Sequence, residues 1–536
     1  MRENLLNKLP ISQDEERMSW GSNTEYYLSL IGFAVGFGSL WRFPYLVYEN
    51  GGGAFLIPYT IFFFILAIPL FYLESALGQM YQRSAPACFE KEGKRFRGIG
   101  AAQVISSFCM GGFYNILMAY SLIFLWKSFS WNLPWQVEQD PNNPTDQIWD
   151  YDYFYKEILQ ITDNISDLGG FNPLVVNGSI VSFIIVYLCT VNGLKSTGKV
   201  VYVSAPLPYF LLFILLGRGI FLEGAWDGIK YLFVIDWTKI WQFEVWYRAA
   251  NQVLFQYAVA SGTLHALASY KPKNTSLIKP SIHVPIIIAL TGILCGLTVF
   301  AYMGHMAKVA GVQIQELPLQ GPDLVFVAYP AALTLMPGST FWAILFFVML
   351  YSLGLDSEFT YLETVGAFIE DEKIKFFGKT LRMEISRFIL MIAFFVLGIF
   401  LYTRAGFYFV TLYDSYITVV PFALTVGLEC FIYGWVTGTD KLNALIKEHV
   451  KEEFPPSFIF CIKYLALPVL AILLIGSFWQ VMIIELFNYP IWGILLGLCF
   501  TGAPIACVIY YYVKYKDYKD EGLETKNSMV ELTSCV

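Results

Sequence analysis

Twelve apolar runs, each long enough to cross a bilayer, constrain this chain more than any other feature. Crossing ~30 Å of hydrocarbon takes roughly 20 apolar residues as a helix. Such runs lie near residues 24–48, 54–80, 99–130, 174–193, 200–222, 245–269, 281–304, 339–368, 383–402, 407–436, 458–480 and 490–513. Within hydrocarbon each segment must satisfy its own backbone polar groups, so runs of this kind fold as helices. The expected fold class is an all-α membrane protein of about twelve transmembrane helices. Composition agrees: only 14 % of residues are charged, against about a quarter in soluble domains. Between the seventh and eighth runs, residues 315–335 are amphipathic and interrupted by proline, which predicts a re-entrant or surface loop.

Lysine and arginine orient the runs, because loops that carry them stay cytoplasmic. Arg83, Lys91, Lys94, Arg95 and Arg97 follow the second run, Lys271, Lys273 and Lys279 the sixth, and Lys373, Lys375, Lys379 and Arg382 the eighth. The loop 132–172 offers Lys156 against many acids. Both termini are expected to be cytoplasmic: a segment 1–22, a membrane-spanning domain 23–515 and a tail 516–536, with no cleaved leader. Asn164-Ile165-Ser166 then sits outside as a glycosylation acceptor. The nine cysteines are scattered without a CxxC pair or a His/Cys cluster, which suits buried thiols better than a metal site. No basic patch predicts a nucleic-acid partner. No nucleophile–base pair, metal cluster or phosphate loop predicts an enzyme.

One internal echo matters more than the number of runs. Ala34-Val35-Gly36-Phe37-Gly38-Ser39 in the first run matches Ala258-Val259-Ala260-Ser261-Gly262-Thr263 in the sixth. A lone patch of small residues usually marks close helix packing. Two matching patches, each in the first helix of a five-helix half, point to an inverted repeat with broken helices around a midplane site.

The runs also carry Trp41-Arg42-Phe43-Pro44-Tyr45, Glu49-Asn50-Gly51-Gly52-Gly53-Ala54-Phe55 and Leu73-Glu74-Ser75-Ala76-Leu77-Gly78-Gln79. Further on come Gly198-Lys199-Val200-Val201-Tyr202, Ala268-Ser269-Tyr270, Gly354-Leu355-Asp356-Ser357 and Glu429-Cys430-Phe431. Together they resemble the neurotransmitter:sodium symporter family across nearly the whole chain. The resemblance implies two inverted five-helix repeats, about 23–222 and 244–437, plus two helices at about 458–513. It implies that helices 1 and 6 unwind at the substrate, with Glu74 supporting the unwound stretch of helix 6.

The same resemblance implies site residues. The second sodium site would take the carbonyls of Gly32, Val35 and Leu353 with the side chains of Asp356 and Ser357; a buried membrane aspartate is functional by default. The first sodium and chloride sites depart from the family. Beside Ala34, the expected asparagine is Ser39, a hydroxyl is Gln256, a second asparagine is Ile288 and the chloride-ligand serine is Gly292; Tyr59 and Gln252 remain. A register shift of one in the seventh helix would bring Thr291 there instead. One coupling sodium is therefore expected, and chloride is not. Arg42 with Asp414 matches the outer gate, and Arg17 with Asp371, flanked by Trp20 and Tyr270, the inner one. The substrate pocket is expected from Ala34, Gly36, Gly38, Ser107, Met110, Gly111, Tyr114, Phe255, Gln256, Ala258, Ser261, Glu358 and Tyr361.

Monoamine carriers of the family have Asp at Gly36, so its absence leaves room for a substrate carboxylate. Glu358 stands where the family places a neutral residue. The expected function is a sodium-coupled symporter of neutral or cationic amino acids, or related small zwitterions, by alternating access. Two alternatives remain at this point. One is a proton-coupled or sodium-independent exchanger using Asp356 or Glu358; the other is a solute sensor that does not transport.

Overall fold

Local sequence sets where the helices begin. Ser22 accepts a hydrogen bond from the Glu25 backbone (3.1 Å), and Glu25 reaches back to the Gly21 N–H (2.8 Å), a reciprocal cap on the first helix. Asn172 accepts from Leu174 and Val175 ahead of Pro173 at the first helical position, where proline costs no hydrogen bond. These features come from a computed structural model, which describes residues 17–137, 149–317, 321, 323–375, 382–479 and 489–516. The predicted segment 1–22 up to residue 16, and the tail beyond residue 516, lie outside the described residues.

All twelve apolar runs fall on helices. We number them α1a (Asn23–Ala34) and α1b (Gly38–Glu49), α2 (Gly53–Tyr81), α3 (Lys94–Ser128), α4 (Pro173–Thr190) and α5 (Leu194–Gly219). There follow α6a (Phe243–Gln256) and α6b (Thr263–Ser269), α7 (Ile278–Ala310), α8 (Ser339–Asp371) and α9 (Met383–Leu397). Last come α10 (Gly406–Val436), α11 (Pro456–Trp479) and α12 (Ile491–Lys514). Among the described residues nine of these are unbroken, long and apolar enough to cross a membrane, and α1a–α1b makes a tenth, bent by 47°. The remaining two are short for physical reasons: α6 unwinds over its middle, and α9 stops at Gly398 in a 3₁₀ turn.

Burial separates scaffold from periphery. Inside the molecule lie 83 % of the α3 span and 78 % of α10, against 22 % of α11 and 33 % of α4 and α12. The outer helices turn Ile184, Leu188, Phe210 and Phe213 outwards, as lipid-facing positions require. The protein is a multi-pass membrane protein.

Residues 315–335 differ from expectation. Leu324–Thr334 is a short helix whose Val325, Phe326, Tyr329 and Leu333 are buried. Phe326 stacks at 5.4 Å on Phe154 of the long outer loop, and Tyr329 at 4.5 Å on Phe346 of α8. The prolines that suggested a loop include Pro330, which occupies the first turn of an α-helical stretch, where proline is tolerated. Asn164 is exposed, in a turn closed by its own side chain.

Candidate functional site

The two helix breaks adjoin. Gln252 Nε2 donates to the Gly38 carbonyl (2.9 Å), and a Cβ on Gly38 would lie 3.0 Å from the Phe255 ring. In α6 the chain leaves the helix after Gln256; Ala258 and Ala260 both take positive φ, 55° and 74°. That conformation costs a non-glycine residue about 1–3 kcal/mol and persists only where the surroundings impose it. Here Glu74 imposes part of it: its Oε1 accepts from the Ala260 N–H (2.7 Å). From the other side Ser107 Oγ donates to the Ser261 carbonyl (2.6 Å), and Ser261 Oγ to that of Ala258 (2.7 Å).

Around the break in α1 the residues expected for the second sodium site lie together. A Cβ on Gly32 would fall 2.4 Å from Asp356 Oδ2, so only glycine lets the α8 carboxyl reach the α1 backbone. Ser357 Oγ donates to the Phe33 carbonyl (2.9 Å), and the Leu353 carbonyl would be 3.6 Å from a Cβ on Gly36. Asp356 brings the one formal charge of the set and is only 3 % exposed. Backbone carbonyls, a carboxylate and a hydroxyl are hard oxygen donors, which suit an alkali cation. Sequence reasoning missed Ser204 of α5, whose Oγ donates to Asp356 Oδ1 (2.5 Å); its place six residues after Gly198 was the available signal. Asp356 also lines a small cavity of about 20 Å³ together with Ser29, Thr197, Thr360, Glu363 and Trp20. Glu363 there pairs with the buried Arg387 (2.6 Å).

At the first sodium and chloride positions the side chain of Gln256 is central. Its Oε1 receives the Tyr59 hydroxyl (2.9 Å) and the Gln252 amide (3.3 Å). Its Nε2 faces Ser39 Oγ (3.1 Å) and the Ile288 carbonyl (3.5 Å). A Cβ on Gly292 would sit 3.2 Å from that nitrogen. The amide orientation follows from the network: reversed, it would set its NH₂ against the Gln252 NH₂. One neutral dipole thus presents its negative end to Tyr59 and Gln252 and its positive end to Ser39 and Ile288. Thr291 points elsewhere, to the Tyr209 hydroxyl at 2.8 Å, while Gly292 is the residue beside the Gln256 amide.

Within the pocket Tyr114 lies against Gly36. A Cβ on Gly36 would meet the Tyr114 hydroxyl at 2.3 Å and Ser357 Oγ at 2.5 Å. That hydroxyl accepts from the Phe37 N–H (2.9 Å) and donates towards Ser357 Oγ (3.3 Å). Tyr361 packs edge-on to Tyr114 (5.6 Å) and Phe33 (5.9 Å), and Met110 is fully buried. Glu358 is also fully buried, and neither carboxyl oxygen has a hydrogen-bond partner. Tyr114, Tyr351, Tyr361 and Tyr402 lie within its electrostatic reach. Gly111 corrects the expectation: a Cβ there would run into the Phe394 ring of α9 at 2.5 Å, so this glycine serves α3–α9 packing.

Both ion pairs expected at the gates are formed. Arg42 lies 3.9 Å from Asp414, with its guanidinium 4.6 Å above the Phe255 ring. Arg17 pairs with Asp371, which also takes Arg83 (3.3 Å) and the Ser84 N–H (2.6 Å). Trp20 holds this end to α6b through the Leu267 carbonyl (2.9 Å) and the Tyr270 carbonyl (3.1 Å).

Comparison with known proteins agrees with this geometry. A sequence model described as the sodium:neurotransmitter symporter family matches residues 17–518. The chain is 32 % identical over 520 residues to the sodium- and chloride-dependent GABA transporter 2 of Rattus norvegicus, covering 92 % of this chain and 86 % of that one. The Mus musculus protein of the same name is 33 % identical over 515 residues, with the same coverage. The sodium-dependent serotonin transporter of Drosophila melanogaster is 32 % identical over 517 residues, covering 93 % and 83 %.

Proposed function

The chain belongs to the sodium:neurotransmitter symporter family, and from that premise we propose that it carries amino acids or related small zwitterions together with a single sodium ion. Members of this family are sodium-coupled transporters and not enzymes, so the fine reading concerns substrate, ions and cycle. The observation that supports it most is the pair of occupied ends on the Gln256 amide. Tyr59 and Gln252 donate to one end, and Ser39 and Ile288 meet the other, so the groups that would have held an anion and a cation already hold an internal dipole. Chloride is accordingly no co-substrate in this reading.

The remaining sodium would be held by Asp356, Ser357 and the carbonyls of Gly32, Val35 and Leu353. Gly36 leaves the pocket without the carboxylate that would pair an amine, so the substrate supplies its own. Beside Gly36 lie the Tyr114 hydroxyl and the Phe37 N–H, bonded to one another here, which would turn to that carboxylate. Glu358 opposes a second carboxylate in a desolvated site, which favours neutral or cationic amino acids. Alternating access would proceed by rocking the two halves, 23–222 and 244–437, with Arg42–Asp414 and Arg17–Asp371 opening in turn. In this reading both termini face the cytoplasm and the protein works at the plasma membrane.

Counter-flow in proteoliposomes against a panel of amino acids tests this directly. Exchange of at least one neutral or cationic amino acid is expected, with Asp356→Ala losing the sodium response. Robust uptake by that variant with an unchanged sodium response would remove Asp356 from the coupling site.

A further inference from the structure

Outside the sites already described, three buried titratable groups converge where α2, α6b and α10 meet. His265 of α6b is fully buried, and among the described residues neither ring nitrogen has a hydrogen-bond partner. Its Nδ1 lies 3.6 Å from Glu74 Oε2. Glu429 of α10, also fully buried, is within electrostatic reach of both. Each carboxyl uses one oxygen on a neutral amide: Glu74 on the Ala260 N–H (2.7 Å), Glu429 on Gln103 Nε2 (2.9 Å). The other oxygen of each has no hydrogen-bond partner. A Cβ on Gly78 would lie 2.3 Å from the His265 carbonyl, so α2 and α6b are in direct backbone contact here.

Fully deprotonated, the three groups would carry two negative charges in a site closed to water. Burying unpaired charge is among the costliest things a fold can do, so the cluster must hold protons, shared among sites that titrate together. Polar groups continue from the cluster along α10. Tyr433 follows Glu429 by one helical turn, is fully buried, lies within electrostatic reach of both Glu429 and Glu92, and its hydroxyl has no hydrogen-bond partner among the described residues. The Phe89 ring lies 5.9 Å from His265 and 5.8 Å from Tyr433. One turn further, Thr437 donates to Glu92 (2.9 Å), beside the half-exposed Lys441 (3.5 Å). The other titratable groups facing the cluster are the thiols of Cys88 and Cys430.

We propose that Glu74, His265 and Glu429 form a proton-binding site, loaded from the cytoplasmic side along Tyr433 and Glu92, whose occupancy sets the unwound stretch of α6. The link is the Glu74–Ala260 hydrogen bond, since Ala260 holds positive φ two residues from the first pocket-facing residue of that stretch. The pH effect on transport rests on the transporter reading above; proton binding itself does not.

Two measurements test it. Infrared difference spectra of the purified protein between about pH 6 and pH 9 read carboxylic-acid carbonyl bands without any transport. Wild type should show such bands, one disappearing in Glu429→Gln. Their absence in wild type, or their full retention in Glu429→Gln, would overturn the proposal whatever the protein transports. In proteoliposomes, sodium-driven uptake should change roughly threefold or more between internal pH of about 6 and 8, the response of one titrating group. His265→Asn should flatten that profile. Lys271 supplies the control, since burial, partly offset by Glu452, pushes its ammonium down to about 8 at the end of α6b. Lys271→Met should keep the profile; loss of the profile in Lys271→Met but not in His265→Asn would overturn the assignment.

Discussion

In the proposed function, Gln256 is the one residue that changes the ion requirement of a site. A glutamine is long enough to put an amide between the Tyr59 hydroxyl and the Ile288 carbonyl, and its dipole satisfies both at no cost in net charge. Gly292 belongs to the same arrangement, because any side chain there would press on the amide nitrogen at 3.2 Å. The two positions should therefore be energetically coupled. Gly292→Ser alone is expected to impair uptake, and Gln256→Ser/Gly292→Ser to recover part of it while gaining a chloride response. Additive losses without a chloride response would mean that the amide is not what stands in for the ions. Glu358 makes a second prediction at this scale. Glutamate should compete poorly with lysine or leucine in wild type, and Glu358→Gln should narrow the gap. Equal competition by glutamate in wild type would refute the charge reading. The sequence exposed both substitutions but not the direction of the Gln256 amide, which only its four neighbours decide. His265 escaped notice altogether, because periodicity tells which face a side chain occupies and not which carboxyls lie across from it.

At the scale of elements, the breaks in α1 and α6 were legible because small residues recur in the two runs at equivalent places. Their backbone geometry was not: alanine rather than glycine occupies positive φ at 258 and 260, although the α2 carboxyl that holds Ala260, Glu74, was expected from the family resemblance. Within residues 315–335 the surface-loop alternative fails for the opposite reason, since Leu324–Thr334 is a buried short helix. An amphipathic, proline-bearing stretch looks like a loop until Phe154 and Phe346 cover its apolar face. The outer gate gives the prediction that belongs here. Arg42 and Asp414 are 3.9 Å apart and neither is deeply buried, so their attraction is worth only ~0–1 kcal/mol, suited to a contact that breaks every cycle. Reversing either charge should reduce uptake, and exchanging the two should restore part of it. Equal loss in the single and exchanged variants would show that the two residues act separately, Arg42 through its stacking on Phe255.

For the whole molecule, the apolar runs made the helix order readable before any contact was known. What they left open is how the ions are counted, because that depends on side chains from α1, α2, α6, α7 and α8 meeting at two points. At one point stand Asp356, Ser357 and the α1 backbone; at the other a glutamine amide closes the circuit. Sodium activation of uptake, measured with chloride and then with gluconate as the anion, addresses this most directly. The account predicts hyperbolic activation with a Hill coefficient of about one. Replacing chloride should alter the rate by less than about twofold, or under ~0.4 kcal/mol. Sigmoid activation by sodium, together with collapse of uptake in gluconate, would contradict it.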